Sequence, residues 1–489
     1  MMGRSMLAYL PVNLANVITA FGTIVVLTRL LTPEEFGIYA ITMITMQFTH
    51  MALFTWIEAA MARFQARAER ENNVATHLTT LYRLGFMTGA VGFVLIMFLL
   101  WVLPLPEKLT FVLVFALAST CLQVTFNLGM EAHRAAHRIK RYSMTFAGQT
   151  LFSFTLGILF ILFTPLRETA PYIGIIIGLI IVGGLDFFFM LRRMKGGQFD
   201  RTKAKNYAVY GLPLCIGLLL SYALNSIDVY LIAGIMGEAA AGEYNAGYNL
   251  ANRSLETLFV WISMAITPVA ITAMEQEGTL RAQSILKDYG STLMWLAFPA
   301  ATGIALVSQD AGFILGEGVR DGAVTVMPFI AFAGVINGLM TYYVHRAFML
   351  SGKTHKYVWA LVIPVILNVI LNLILIPHFQ LMGAVWSTIL CYFIAIIIAT
   401  ILARQDYPLP LPFRAAIEIA ICCALMSGAV LLLPLDGMSP GFATLMIKAV
   451  TGASVYLLAC WLLNAANCRV VLNDLRQKFS RGPQPEPVK

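Results

Sequence analysis

Apolar residues recur along this 489-residue chain in runs of roughly 20, each long enough to cross about 30 Å of hydrocarbon as a helix. The runs start near residues 6, 36, 78, 108, 142, 171, 207, 243, 285, 324, 356, 381, 413 and 441, and the pattern predicts about fourteen transmembrane helices. The expected fold class is an all-α polytopic membrane protein. Composition agrees: 59% hydrophobic residues, 12% charged residues and a mean hydropathy of +0.78 leave too much apolar surface for a soluble core. The first run follows Arg4 in the manner of a signal peptide. Pro11, Asn13 and Asn16 interrupt it, however, and Thr32-Pro33-Glu34-Glu35 stands where small cleavage-site residues belong, so it reads as a retained helix.

Basic residues sort the connections into two sides. Most of the 33 Lys and Arg fall on alternate connections, among them Arg63, Arg67 and Arg70, then Arg134, Arg138, Lys140 and Arg141, then Arg192 through Lys205, then Arg346, Lys353 and Lys356. The opposite connections carry Glu34, Glu35, Glu107, Glu168, Glu238, Glu243, Asp310, Glu317, Asp321 and Asp436. The basic side is expected to face the cytoplasm in a bacterial cytoplasmic (inner) membrane. An even number of spans then places both termini there, including the Pro-rich stretch Gly482 to Pro487. The net charge of +8 is explained by these dispersed loops and by anionic headgroups, and nucleic acid is not an expected partner.

Two stretches echo each other. Gly37-Ile38-Tyr39 and Gly242-Glu243-Tyr244, about 205 positions apart, each open the second helix of a six-helix set. His133-Arg134-Ala135 and His345-Arg346-Ala347 each close a fourth helix, and Arg141-Tyr142 and Lys356-Tyr357 each begin a fifth. The repeat predicts an N-terminal lobe over residues 1–200, a second over 201–405, a helix pair over 406–466 and a tail over 467–489. Two copies of the same orientation are related by an axis along the membrane normal, which puts a binding site between them near mid-depth.

The junction Arg29-Leu30-Leu31-Thr32-Pro33-Glu34-Glu35-Phe36-Gly37-Ile38-Tyr39, with Leu367 to Pro377 followed by Gly383-Ala384, resembles the polysaccharide biosynthesis proteins. These are the lipid-linked oligosaccharide flippases of the multidrug/oligosaccharidyl-lipid/polysaccharide exporter superfamily. The resemblance covers most of the chain. It implies transport of a polyprenyl-diphosphate-linked oligosaccharide between leaflets for cell-surface polysaccharide synthesis, without enzymatic activity, with the lipid-linked glycan, membrane lipids and a glycan polymerase or export machinery as partners. Lipid II flippases of the superfamily carry cavity arginines in their first helices, where this sequence has Asn13 and Asn16.

Ionisable and amide groups within the spans are the candidate site, because a charge in hydrocarbon costs at least a few kcal/mol and persists where it meets water or a partner. In the eighth span Asn245, Asn249, Asn252, Arg253 and Glu256 fall within about 100° of one another and form a polar stripe suited to lining water. An Arg253–Glu256 pair at i,i+3, with the amides binding neighbouring helices, is the alternative. Arg253 suits a phosphate through its fork of donors. Asn225 and Asp228, and Asn13 and Asn16, are further cavity candidates, with interhelical hydrogen bonding as the alternative; Arg29 borders the external mouth. Asn368 and Asn372 read as packing groups. Coupling-ion candidates are Glu58, Asp186, Asp228 and Glu256; Glu58 is within reach of Arg63 and Asp186 of Arg192, while Lys448 is placed to snorkel.

The remaining chemistry is negative. Six of the seven cysteines lie in apolar runs and none forms a CxxC spacing, so neither a disulfide framework nor a zinc site is expected. His133 and His137 share an i,i+4 face but are crowded by Arg134 and Arg138, and no metal or other cofactor is expected. There is no phosphate-binding Gly-rich loop and no nucleophile elbow. Energy for transport then comes from gradients or downstream consumption, with Pro213, Pro268, Pro299, Pro328 and Pro364 as bend points. The rival readings are a cation-coupled multidrug exporter of the same superfamily and a membrane-embedded glycan polymerase or ligase.

Overall fold

The computed structural model describes residues 8–353, 355–435 and 437–469; Asp436 and the Pro-rich tail lie outside them. Hydrocarbon offers backbone groups no partner, so these apolar runs satisfy their own N–H and C=O groups as helices. The spans are α1 Leu10–Leu30, α2 Pro33–Leu53, α3 Val74–Val102, α4 Glu107–Ala135, α5 Ile139–Phe163, α6 Arg167–Met194 and α7 Arg201–Met236. They continue as α8 Glu238–Gln276, α9 Thr279–Ile314, α10 Glu317–Leu350, α13 Phe413–Leu431 and α14 Phe442–Leu463. One continuous helical stretch, His355–Arg404, is broken at Gln380 (φ 54°, ψ −135°), which divides it into α11 (355–379) and α12 (381–404). Among the described residues thirteen helices are long and apolar enough to cross a membrane, and the break at Gln380 divides one of them, giving fourteen. No strand occurs among the described residues.

The second apolar run ends earlier than its hydropathy suggests. At Phe54 (φ −121°) the chain turns, and an amphipathic helix, Thr55–Arg70, carries Glu58, Glu69 and three arginines. Helices α7, α9 and α10 run on through Pro213, Pro299 and Pro328. The irregular turns lie elsewhere, in π-helical stretches at Leu179–Gly183 in α6 and Met340–Val344 in α10. Each is followed within three residues by a charged side chain, Asp186 or Arg346.

Contacts divide the chain into two compact units, and each is described by itself. The first comprises Met1–Ala246, Leu315–Arg320 and Val365–Ala384, and the second Gly247–Ile314, Asp321–Pro364 and Val385–Lys489. In the first unit Phe54, Ile57, Met61, Leu78, Tyr82, Leu128 and Met190 form one core. In the second, Met294 of α9 packs with Ile419, Cys422 and Met426 of α13 and with Tyr456 and Cys460 of α14.

The Thr32 to Tyr39 junction is a helix start built from several contacts. Thr32 and Glu35 form a reciprocal capping box: the Glu35 N–H donates to Thr32 Oγ1 at 3.3 Å and the Thr32 N–H to Glu35 Oε2 at 2.9 Å. Pro33 occupies the first turn, where its missing N–H costs nothing. Arg167, at the start of α6, then donates to both Glu35 oxygens at 3.0 and 2.8 Å. Glu34 and Glu35 thus stand in the first turn of α2. Replacing Glu35 by Ala is expected to lower stability by ~2 kcal/mol, combining a lost cap with a lost charge-assisted pair that is partly exposed. Glu35→Gln, which keeps an acceptor oxygen, is expected to recover about half of that loss. Thermal unfolding of purified protein in detergent measures both, and equal unfolding temperatures for wild type and the Ala variant count against the cap.

The two glycines of the repeat motif face each other. A Cβ added at Gly37 lies 1.7 Å from the Glu238 carbonyl oxygen, and one at Gly242 lies 2.7 Å from the Pro33 oxygen and 3.0 Å from the Gly37 nitrogen. Gly316 presses on the Thr28 carbonyl in the same way, and its N–H donates to Thr28 Oγ1 at 3.1 Å. Close backbone approach of this kind is how small residues join helices in a membrane, where no hydrophobic force separates helix from lipid.

Candidate functional site

The first unit holds a fully buried carboxylate. Asp228 of α7 is 1% exposed. Its Oδ2 accepts from the Tyr244 hydroxyl of α8 at 3.0 Å and its Oδ1 from the Asn372 amide of α11 at 2.7 Å. Asn372 also donates to the Asn368 Oδ1 at 3.1 Å, and both asparagines are completely buried. The packing role expected of Asn368 and Asn372 takes the form of an interhelical tie, with Asn372 joining α11 to Asp228 of α7. The i,i+4 spacing of two amides was visible in the sequence, but their target lies 144 residues away. Asn225, one turn before Asp228, donates to the Ser221 carbonyl at 2.7 Å.

Two further ionisable centres sit toward the basic connections of this unit. Glu58 meets His50, with Nε2 to Oε1 at 2.9 Å, and accepts from the Asn127 amide at 2.9 Å. The expected Arg63 contact is absent among the described residues, because the turn at Phe54 folds the Thr55–Arg70 helix back against His50. Asp186 of α6 is 4% exposed; its Oδ1 meets His133 Nε2 at 2.9 Å and accepts from Arg141 Nη2 at 2.9 Å. Arg192 is instead stacked over Phe188, 4.7 Å from the ring centroid. Gly129 makes room for this centre, since a Cβ there lies 2.6 Å from Asp186 Oδ2. Sequence reasoning named the carboxylates and missed His50, Asn127 and Arg141, although polar residues inside apolar runs were a signal for the first two. Close to the loop, Glu69 accepts from Arg193 at 2.6 Å and from Gln65 at 2.9 Å. Burial alone raises the Glu69 pKa, but those donors outweigh it and hold the carboxylate below its ordinary value.

The eighth-span stripe divides by environment. Asn245 is half-buried in the first unit. In the second unit Asn249 accepts from Arg253 Nε at 3.4 Å, while Asn252 is turned toward α10, its Oδ1 lying 3.1 Å from a Cβ built at Gly334. Arg253 and Glu256 are exposed, and no ion pair joins them. The alternative in which the two neutralise each other is not what forms. Lys448 does not snorkel: its Nζ lies 2.6 Å from Asp310 Oδ2, a carboxylate 3% exposed, tying α14 to α9. That pairing escaped the sequence because the partners are 138 residues apart. Asn13 and Asn16 are exposed on α1 among the exposed Leu14, Val17 and Ile18, and Arg29 is exposed near its end.

No group of three or more His, Cys, Asp or Glu positioned to hold a metal occurs among the described residues. What the described residues offer instead is polar and ionisable groups buried at several places in an apolar, all-helical fold. The chain belongs to the polysaccharide biosynthesis protein family, whose profile matches residues 26–317. A Klebsiella pneumoniae protein described as an uncharacterized membrane protein in the cps region is 20% identical over 308 residues. That alignment covers 62% of this chain and 62% of the relative's length. Among solved structures, the lipid II flippase MurJ in an inward closed conformation superposes with a TM-score of 0.73 at 11% identity, covering 94% of this chain and 98% of that one. An inward-facing multidrug resistance MATE family transporter of the MOP superfamily gives 0.66 at 14% identity, covering 81% and 97%. At these identities the likeness establishes a shared fold.

Proposed function

We propose that this protein is a flippase that carries a polyprenyl-diphosphate-linked oligosaccharide from the cytoplasmic to the outer leaflet of the bacterial inner membrane by alternating access. The reading rests on membership of the polysaccharide biosynthesis family. A glycan cannot cross hydrocarbon unaided, and the fold shared with lipid and drug carriers supplies polar groups at membrane depth. In this reading both termini are cytoplasmic, the two six-helix halves 1–200 and 201–405 move against each other, and a glycan polymerase or export machinery receives the product. The protein itself catalyses no bond change.

Arg253, Glu256, Asn249, Asn252, Asn245, Asn225, Asn13, Asn16 and Arg29 are the proposed substrate contacts. Arg253 is the strongest of them, because it is exposed and no carboxylate pairs with its guanidinium among the described residues. Asp228 is the proposed coupling group, with Glu58, Asp186 and Glu256 as further sites for proton or cation exchange. An inside-negative potential assists outward movement of the anionic headgroup by about 2.3 kcal/mol per charge per 100 mV.

The decisive experiment is gene deletion followed by leaflet-specific detection of the lipid-linked oligosaccharide. Accumulation on the cytoplasmic leaflet is expected; unchanged delivery to the outer leaflet refutes the proposal. Drug export without glycan export is the outcome that favours a multidrug exporter, and glycan joining by the purified chain the one that favours a polymerase or ligase. Arg253→Ala is expected to reduce export about tenfold, the equivalent of ~1.4 kcal/mol of lost phosphate contact, with normal protein levels in the membrane. Wild-type export by that variant removes Arg253 from the site.

A further inference from the structure

Arg346 lies at the end of α10, directly after the π-helical turn Met340–Val344, in the second unit. One Nη2 hydrogen bond goes to the Ser263 hydroxyl of α8, and the Tyr289 hydroxyl of α9 is within reach of both groups. Beyond these, Nη1 reaches only the Met349 sulfur at 4.0 Å, a weak acceptor, and Nε is buried without a partner. No carboxylate stands within ion-pairing distance of Arg346 among the described residues. A guanidinium has five N–H donors. On Arg346 the Nε–H and one Nη1 N–H are unspent, and the Met349 sulfur is a poor partner for the other.

Its neighbours make the contrast sharper. Ten residues on, Lys356 is neutralised by Asp406 at 2.6 Å, so this end of the unit does provide counter-charges where a cation is only structural. Beside Arg346, Tyr342 is stacked on Phe259, with centroids 5.6 Å apart and planes 11° off parallel, and its hydroxyl makes no hydrogen bond among the described residues. The Tyr342 ring is further fixed from behind, because its backbone carbonyl accepts from Tyr289 at 2.9 Å. A half-buried arginine fork, a fixed phenol hydroxyl and a π-helical turn, a feature frequent at functional sites, converge at one helix end.

We propose that Arg346, oriented by Ser263 and Tyr289 and flanked by the Tyr342 hydroxyl, forms a phosphate-binding subsite that receives the diphosphate of a lipid carrier. The assignment rests on the flippase reading and adds to it a third cationic contact, separate from Arg253 and Arg29. A partly desolvated guanidinium lacking a counter-charge is costly to keep in a protein, and a phosphate supplies both the charge and the paired oxygens that its planar fork matches. The position, at the end of α10 that leads into the basic Lys353–Lys356 connection, suits a headgroup arriving at the membrane surface. The same chemistry is offered by a bulk phospholipid, so the source of the phosphate must be separated by experiment.

Full-length protein in nanodiscs is titrated with farnesyl diphosphate, with farnesol and phosphatidylglycerol as comparison ligands. Wild type is expected to prefer the diphosphate, and Arg346→Gln to weaken it by tenfold or more. Arg346→Lys, which keeps the charge and removes the fork, is expected to weaken it by several-fold. Equal diphosphate affinity for wild type and the Gln variant overturns the assignment, as does equal preference for phosphatidylglycerol. If the Gln variant unfolds, the Lys variant and Tyr342→Phe decide: unchanged affinity in both also overturns it. Leaflet transfer of the glycan lipid by wild type in sealed proteoliposomes tests the flippase reading independently: its absence counts against that reading, whereas diphosphate binding is scored whether or not transfer occurs.

Discussion

Replacing Gly37 by alanine is expected to destabilise the folded protein by at least about 3 kcal/mol, the upper part of the range for overpacking, and to abolish export at elevated temperature. The added methyl carbon falls 1.7 Å from the Glu238 carbonyl oxygen and 2.5 Å from its carbon. Both are backbone atoms, so no side chain can swing aside. Relief requires α2 and α8 to separate, which breaks the matching approach of Gly242 to Pro33. Gly148→Ala is the control, since a Cβ there meets nothing within 4 Å and alanine is the better helix former. Thermal unfolding of the two purified variants provides the comparison. If Gly37→Ala melts with wild type, the two helix starts are not in backbone contact.

The second large effect concerns Asp228. Changing it to Asn is expected to lower export by about a hundredfold or more while the protein reaches the membrane in near-normal amount. The isosteric amide retains an acceptor for Tyr244 or Asn372, so packing at this buried centre is little altered. What disappears is the ionisable group. An ionisable group enclosed at membrane depth is a functional-site hypothesis by default, because a neutral amide would be the cheaper way to tie three helices together. Asp228→Ala is expected to be worse in a different way, removing the buried acceptor of the Tyr244 hydroxyl at about 1–3 kcal/mol, leaving Asn372 bound to Asn368 alone, and reducing protein level as well. Leaflet-resolved export normalised to membrane protein separates the two. Wild-type export by the Asn variant would show that Asp228 is a structural hydrogen-bond acceptor and that coupling lies elsewhere.

The same contrast between charge and packing runs through the other centres. Glu58 and Asp186 were recognisable as isolated carboxylates in apolar runs, yet their nearest basic residues in sequence are not their partners. Asp186 turns to His133 and Arg141 because the π-helical turn before it and the absence of a side chain at Gly129 leave room on that side. Lys448 followed the same rule. A long cation near a helix end was read as snorkelling toward water, but α14 packs on α9 and delivers it to Asp310. The α8 stripe shows the opposite limit: periodicity placed Arg253 and Glu256 on one face, and they remain exposed there without neutralising each other.

Sequence alone determined the helices, their number and the family, because these depend on local quantities. Span length follows from hydropathy, and the break between α11 and α12 was already visible as two apolar runs meeting near Gln380. The α2 start follows from Thr32, Pro33 and Glu35 within one turn. The repeat motif was legible too, but only as two similar strings. That its glycines touch, that Asn372 reaches Asp228, and that Arg346 meets no carboxylate among the described residues were decided by tertiary structure. In an apolar medium each buried polar group must find its complement wherever packing brings one, and across 53 to 144 residues of intervening chain no local pattern specifies which group that is.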